Sequence, residues 1–338
     1  MFDSPIFFHK NRVGRVYIGG KLFSTFFGDD SADSYEPEEW IASNVSALNK
    51  NSKSAKEGVS KVVNSGLYFD ELVEKYPQEL LGSHKKLRIL VKILDSAIRL
   101  PAQAHPDKEF SRKYFNSEYG KTECWIVLDT RPDAKIYFGF KNGVTLSEFE
   151  KAIDDSERDK DAMERLMLEI KPEKNGVYLV PAKTVHAIGA GCLILEIQEP
   201  TDFTIQPERY CGEYKLSDKE MCLGLTRMQA VECFDFAKAP NAKIEPVVIE
   251  DTASIKTESL ICKKNTDCFV VNRITISGGK KMLNIEDSYA IYIVTNGEGI
   301  LSGNNYSKII NKGDYFFMPA CLMGKFSVSG NVELVECY

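Results

Sequence analysis

The spacing of apolar residues changes character several times along the chain. Over residues 5–30, short apolar stretches alternate with glycines, notably Gly14, Gly19, Gly20 and Gly28, which predicts short strands and turns. From Ser34 to about Gly82 the spacing becomes helical, in EPEEWIASNVSALNK and LYFDELVEKYPQELLG. KLRILVKILD then reads as a buried strand in which Lys92 is an exception that needs a reason. Residues 103–141 return to strands, with ECWIVLDT and AKIYFGF on either side of a turn at Arg131-Pro132-Asp133. TLSEFEKAIDDSERDKDAMERLMLEI predicts a solvated helix over about 145–170, with Thr145 as N-cap and Glu148 as its capping-box partner. GVYLVPAKTVHAIGAGCLILEIQE reads as strand, turn, strand, and LTRMQAVECFDFA as one more helical stretch. Pro240 and Asn241 mark a boundary, beyond which FVVNRITI, SYAIYIVTN, SKIINKGDYFFMP and VELVECY are again strands.

Many short strands separated by turn signals predict a mainly β chain, a sandwich or barrel, with helical insertions at about 34–82 and 145–170. The expected division is 1–240 and 241–338. An internal echo supports two related units. Gly176-Val-Tyr-Leu-Val-Pro181 resembles Gly313-Asp-Tyr-Phe-Phe-Met-Pro319 with one residue inserted. His186 lies five residues after the first proline, whereas Gly324 lies at the equivalent place after the second.

Composition narrows the function. The 338 residues are 43% hydrophobic and 27% charged, with a net charge of −6 and no lysine-rich block. Nucleic acid and anionic membrane surfaces, which need concentrated positive charge, are not the expected partners. A small anionic substrate needs only a few local cations. The start has no basic segment leading into a long apolar run, and no stretch reaches the roughly 20 apolar residues that span a bilayer. Nine scattered cysteines without a C-x-x-C pair read as reduced thiols of a cytoplasmic protein.

Only four histidines are present, and two of them stand in suggestive places. Gln103 and His105 are two apart, which on an extended strand puts both side chains on one face. Glu123 begins a second strand and His186 a third. Inward-facing residues of neighbouring barrel strands converge, so two imidazoles, a carboxylate and an amide oxygen can surround one divalent ion. Such a donor set suits zinc, and also iron, manganese or cobalt. The plainer readings are a turn histidine before Pro106, a hydrogen-bonded core histidine at 186 and an ordinary strand-end carboxylate at 123.

The motifs Gln-Ala-His-Pro-Asp-Lys at 103–108, Gly-Lys-Thr-Glu-Cys-Trp at 120–125 and Pro-Ala-Lys-Thr-Val-His-Ala-Ile-Gly at 181–189 resemble those of type I mannose-6-phosphate isomerases in order and separation. Leu-Glu-Ile-Gln-Glu at 195–199 and Tyr17-Ile18-Gly19-Gly20 are similar as well, so the likeness runs through most of the chain. The resemblance implies a cupin fold of two jelly-roll barrels with a helical insertion, metal being held in the first barrel alone. It implies one zinc ion on Gln103, His105, Glu123 and His186, an active-site lysine at Lys121, and a lysine near the substrate phosphate at Lys92. The implied reaction interconverts mannose 6-phosphate and fructose 6-phosphate through an enediol. Oligomeric state stays open.

Two positions depart from the family pattern. Pro101 stands where a phosphate-binding serine is usual, and Gln206 where an arginine faces the reacting carbons; Arg209, three residues on, is the expected substitute. A cation at Lys121 or Arg209 would stabilise charge on the enediolate oxygens. Lys121, a metal-bound hydroxide or a carboxylate such as Glu196 are the alternatives for the base. Two rival readings share the site: a non-haem iron oxygenase built on two histidines and a glutamate, and a sugar-binding cupin without catalysis.

Overall fold

Strands that alternate between two different buried faces dominate the chain. The computed structural model describes residues 2–50, 52, 54–237, 242–303 and 305–338. Its first part contains β1 (Arg12–Val13), β2 (Glu38–Ile41), β3 (Leu90–Ser96), β4 (Glu123–Thr130), β5 (Ile136–Phe140), β6 (Met167–Ile170), β7 (Val177–Val180), β8 (His186–Ile188) and β9 (Cys192–Gln198). Helices α1 (Phe23–Phe27), α2 (Phe69–Lys75), α3 (Pro77–Leu81), α4 (Lys108–Phe115) and α5 (Leu146–Asp155) lie between them. A small hairpin of β10 (Tyr210–Cys211) and β11 (Tyr214–Lys215), helices α6 (Asp218–Cys222) and α7 (Arg227–Val231), and β12 (Lys243–Ile244) follow. The order in the large sheet is β1-β2-β3-β9-β4-β7-β12, and a second sheet has the order β6-β5-β8. The two sheets share one core, in which Trp125, Tyr178 and Ile194 of the first meet Ile136, Phe138 and Ile188 of the second.

The second part is one antiparallel sheet of β13 (Val247–Asp251), β14 (Ile255–Ile261), β15 (Val271–Leu283), β16 (Ala290–Gly303), β17 (Tyr306–Asn311), β18 (Tyr315–Met318) and β19 (Phe326–Cys337). The long strands β15, β16 and β19 carry register shifts at Ser277/Gly279 and Val294/Asn296. Such bulges bend a strand. Residues on both sides of the bends, such as Ile274 and Leu283 or Tyr292 and Leu301, line one interior. The fold is therefore mainly β with two cupin-type barrels.

A third core joins them. Leu193, Leu195 and Ile197 of β9 pack with Val271, Ile291, Val335 and Cys337 of the second barrel. The alternate residues Cys192 and Ile194 face the first barrel's interior. A strand buried on both faces has no solvent-facing polar row, which is why Cys192–Leu195 reads as an unbroken apolar run before Glu196 and Gln198. Each Leu, Ile or Val fully buried there contributes about 1.5–3 kcal/mol.

The helices partly match expectation. Thr145 and Glu148 form the capping box of α5, and α2 and α3 fill the LYFDELVEKYPQELLG stretch. Three segments differ. Glu38–Ile41 is a strand buried on both faces, paired with β1 and β3, and the tertiary setting overrides its helical spacing. Helix α5 stops at Asp155, and Met167–Ile170 pairs with β5 as a strand. Within 103–141, Asp107 accepts a hydrogen bond from the Phe110 amide and starts α4, an N-cap hidden behind Pro106.

The boundary at Pro240 and Asn241 lies outside the described residues, and just beyond it Lys243–Ile244 still pairs with β7 of the first sheet. No helix among the described residues is long and apolar enough to cross a membrane.

Backbone pairing puts the internal echo in register. Trp125 pairs with Glu196 and Tyr178, and Tyr292 pairs with Glu336 and Phe316. Lys92 pairs with Glu196 as Asn272 pairs with Glu336. Glu123 pairs with Val180 as Ala290 pairs with Met318. The match needs no inserted residue: Asn175 and Gly176 bond to Val127 as Gly313 and Asp314 bond to Val294.

Candidate metal centre and the cavity around it

Three separate segments deliver the charged groups. Gln103 and His186 exchange two backbone hydrogen bonds of 2.9 Å, and Ala104 pairs with Ile205 in the opposite direction. The backbone from Gln103 is thus extended, and the two-residue spacing places Gln103 and His105 on the same cavity wall. Glu123 opens β4 and His186 opens β8. Gly120 precedes Lys121 because a Cβ there would lie 2.7 Å from the Pro106 carbonyl oxygen. That close approach lets the Lys121 amide bond to Pro106 at 2.9 Å. Glu199 accepts from the Gly120 and Thr122 amides and braces the same turn.

His105, Glu123 and His186 are each about 1% exposed, and one ligand atom from each lies within 4.8 Å of the others. Nδ1 of His105 is 2.9 Å from the Phe203 carbonyl oxygen, and Nδ1 of His186 is 2.8 Å from that of Thr184. Carbonyls only accept, so each Nδ1 carries the proton and each Nε2 turns a lone pair inward. The two Nε2 atoms stand 3.2 Å apart. Glu123 Oε1 accepts from the Trp125 indole, while buried Oε2 makes no hydrogen bond of good geometry. Three inward acceptors, one of them a carboxylate oxygen without a hydrogen bond, fit a divalent cation held by nitrogen and oxygen. Carbonyls behind the imidazoles are the partners that fix the orientation of metal-binding histidines.

Electrostatics keep the donors in their binding forms. Burial, then the Lys121 ammonium, pull His105 down to about 3. Burial likewise lowers His186. Burial opposes ionisation of Glu123, but Lys121 and His105 outweigh it and hold the carboxyl well below its usual range. Lys121 Nζ is 2.8 Å from His105 Nε2 and 3.2 Å from Glu123 Oε2.

Around this cluster is a cavity of about 600 Å³. Lys92 lies on its wall, 3% exposed, with Nζ 3.4 Å from Glu196 and 3.7 Å from Glu38. The lysine in the apolar run is explained by these carboxylates and by the Trp40 ring 4.8 Å away. Arg15 forks onto Asp202 at 2.9 and 3.1 Å and touches Glu38 at 3.0 Å. Burial works against the Glu38 charge, but Arg15 and Lys92 hold its carboxyl well below the carboxylate range. Burial, then Glu123, push the Glu196 carboxyl up.

Sequence reading missed Arg15, Glu38 and Asp202. The signal for Glu38 was its two-residue spacing from Trp40, which a helical reading of EEWI conceals. Arg209 is a correction. Its guanidinium bonds to the Leu216 carbonyl and pairs with Glu157 and Asp218, outside the cavity lining. Gln206 does line the cavity, with its amide nitrogen 3.4 Å from the Glu220 carbonyl oxygen, and so does Pro101.

Comparison with known proteins agrees with this geometry. Residues 260–338 match the family model described as mannose-6-phosphate isomerase, cupin domain. The chain is 28% identical to the probable mannose-6-phosphate isomerase GmuF of Bacillus subtilis (strain 168), over 98% of each chain. A crystal structure of the mannose 6-phosphate isomerase from Bacillus subtilis superposes with a TM-score of 0.80 at 25% identity, over 99% of this chain and 100% of that one. A structure of a putative mannosephosphate isomerase from Archaeoglobus fulgidus shares the fold, with a TM-score of 0.73 at 20% identity over 99% and 98% of the two chains. With 30% identity to the mannose-6-phosphate isomerase ManA of Bacillus subtilis (strain 168) over 99% of both chains, this chain belongs to the mannose-6-phosphate isomerase family and is an enzyme.

Proposed function

We propose that the protein interconverts mannose 6-phosphate and fructose 6-phosphate through an enediol, with one zinc ion held by Gln103, His105, Glu123 and His186. The observation that carries this reading is the convergence of two inward imidazole nitrogens, 3.2 Å apart, on the buried Glu123 carboxylate, His105 Nε2 at 3.2 Å and His186 Nε2 at 3.4 Å. A bound dication supplies Lewis-acid polarisation of the sugar oxygens. Trp125 and the Phe203 and Thr184 carbonyls keep the three donors aimed without reorganisation. Lys121 places a cation beside the same point, where negative charge develops on the substrate oxygens. Lys121 and Glu123 are both buried, and the low local dielectric strengthens that interaction. Glu38, Lys92, Glu196, Arg15 and Asp202 form a fixed, nearly neutral wall against which the sugar is oriented.

The same reading takes the division at 240/241 as metal-binding and metal-free units, because Ala290 stands in the register position of Glu123. It also places the protein in the cytoplasm, since all nine cysteines are free thiols. The test is metal analysis with an isomerase assay. Chelation is expected to abolish interconversion of the two sugar phosphates, and zinc to restore it. Metal-loaded protein that leaves mannose 6-phosphate unchanged would remove this substrate, and iron with iron-dependent oxygen uptake would favour the oxygenase instead.

A further inference from the structure

The cavity has two electrostatically different ends. At the buried end every cation is already matched. Lys121 faces Glu123, Lys92 lies between Glu38 and Glu196, and Arg15 lies between Glu38 and Asp202. A phosphate dianion on Lys92 would also meet carboxylates that lie 3.4 and 3.7 Å from its ammonium. The mouth is the reverse. Lys50 and Lys219 line it and are exposed. Lys219 has no ion pair among the described residues, and Lys50 has only Glu220 at 4.0 Å. Glu220 is itself occupied by the Ser217 amide and hydroxyl and by the Tyr214 hydroxyl.

Both lysines stand on braced backbone. The Leu48 amide bonds to Asp202 at 2.8 Å, and the Asn49 side chain bonds to the Gly14 carbonyl at 2.8 Å and to Arg15 at 3.1 Å. The buried Arg15–Asp202 pair therefore fixes the loop that carries Lys50. Lys219 sits in α6, whose first turn is closed by the Ser217–Glu220 capping box. We infer that the phosphate of the substrate binds at the cavity mouth on Lys50 and Lys219, and not on the buried Lys92. This rests on the sugar-phosphate reading above. It gives the cavity a polarity, with the reacting carbons at the imidazoles and the phosphate toward solvent, and it accounts for phosphate binding without a hydroxyl at Pro101.

The double variant Lys50→Ala/Lys219→Ala tests it, with circular dichroism as the check on folding. Two charge-assisted contacts are lost, so KM for mannose 6-phosphate is expected to rise at least ~10-fold, with a larger change in KM than in kcat. Competitive inhibition by inorganic phosphate is expected to weaken by a similar factor, and the salt dependence of KM to flatten. Unchanged KM and unchanged phosphate inhibition would overturn the inference while leaving the isomerase reading intact. Wild-type protein that binds inorganic phosphate in calorimetry, loses it in the double variant, yet turns over no mannose 6-phosphate would uphold the anion site and remove the substrate assignment. Phosphate binding that survives the double variant but is lost in Lys92→Gln would place the anion on the buried lysine and refute the inference.

Discussion

The two barrels are built on one plan and differ in what they bury at matching positions. In the first, the row across β3, β9 and β4 reads Lys92, Glu196, Trp125, and Glu123 stands two residues before Trp125. In the second, the corresponding row across β15, β19 and β16 reads Asn272, Glu336, Tyr292, and Ala290 stands two before Tyr292. Asn272 and the Tyr292 hydroxyl bond to Glu336 at 2.8 and 2.7 Å, and Val328, Leu334 and Phe326 fill the rest. One lone carboxylate satisfied by neutral donors makes a packed core. Several charges around a carboxylate oxygen without a hydrogen bond line a cavity. A buried ionic cluster is poor evidence of stability, so the first barrel's charge is best explained by chemistry, and the second barrel shows the same frame without it.

The largest expected effect removes that asymmetry at its centre. Glu123→Gln should cut metal content in freshly purified protein and lower kcat/KM about 1000-fold or more, since the polarisation it supports is worth several kcal/mol. Full zinc occupancy in this variant would mean that the carboxylate is not what arms the barrel. Next is Lys121→Met, which should retain metal and lose about 100-fold in kcat, the usual scale for one oriented donor. A loss confined to KM would recast Lys121 as a binding residue.

The smallest effect belongs to the second barrel and has the opposite sign. Burial pushes the Glu336 carboxyl above its usual range despite the bonds from Asn272 and Tyr292. A raised folded-state value means its contribution is whole below the unfolded value of about 4.3 and is lost as pH rises through the folded value. Glu336→Gln, neutral at every pH, should therefore raise Tm by about 2 °C at pH 8 and by nothing at pH 4. A Tm lowered equally at both pH values would show that the carboxylate is structural, and the contrast with Glu123 would narrow.

The sequence by itself determined much of this protein. Two-residue alternation in Gln103-Ala104-His105 and the apolar runs at 123–130 and 192–198 are local facts, and local backbone geometry turns them into strands with known faces. The capping box at Thr145 and Glu148 is equally local. The four expected donors were legible as motifs in order along the chain. Tertiary structure alone decided which distant segments meet. His105 and His186 are 81 residues apart, and Arg15 finds Asp202 across 187. Periodicity carries no information about such pairings, because register between strands is set by packing of whole faces. For the same reason EEWI became a strand against its own spacing, and Arg209 turned toward Glu157 and Asp218. The wall of Arg15, Glu38 and Asp202 emerged only when three unrelated segments closed around one cavity.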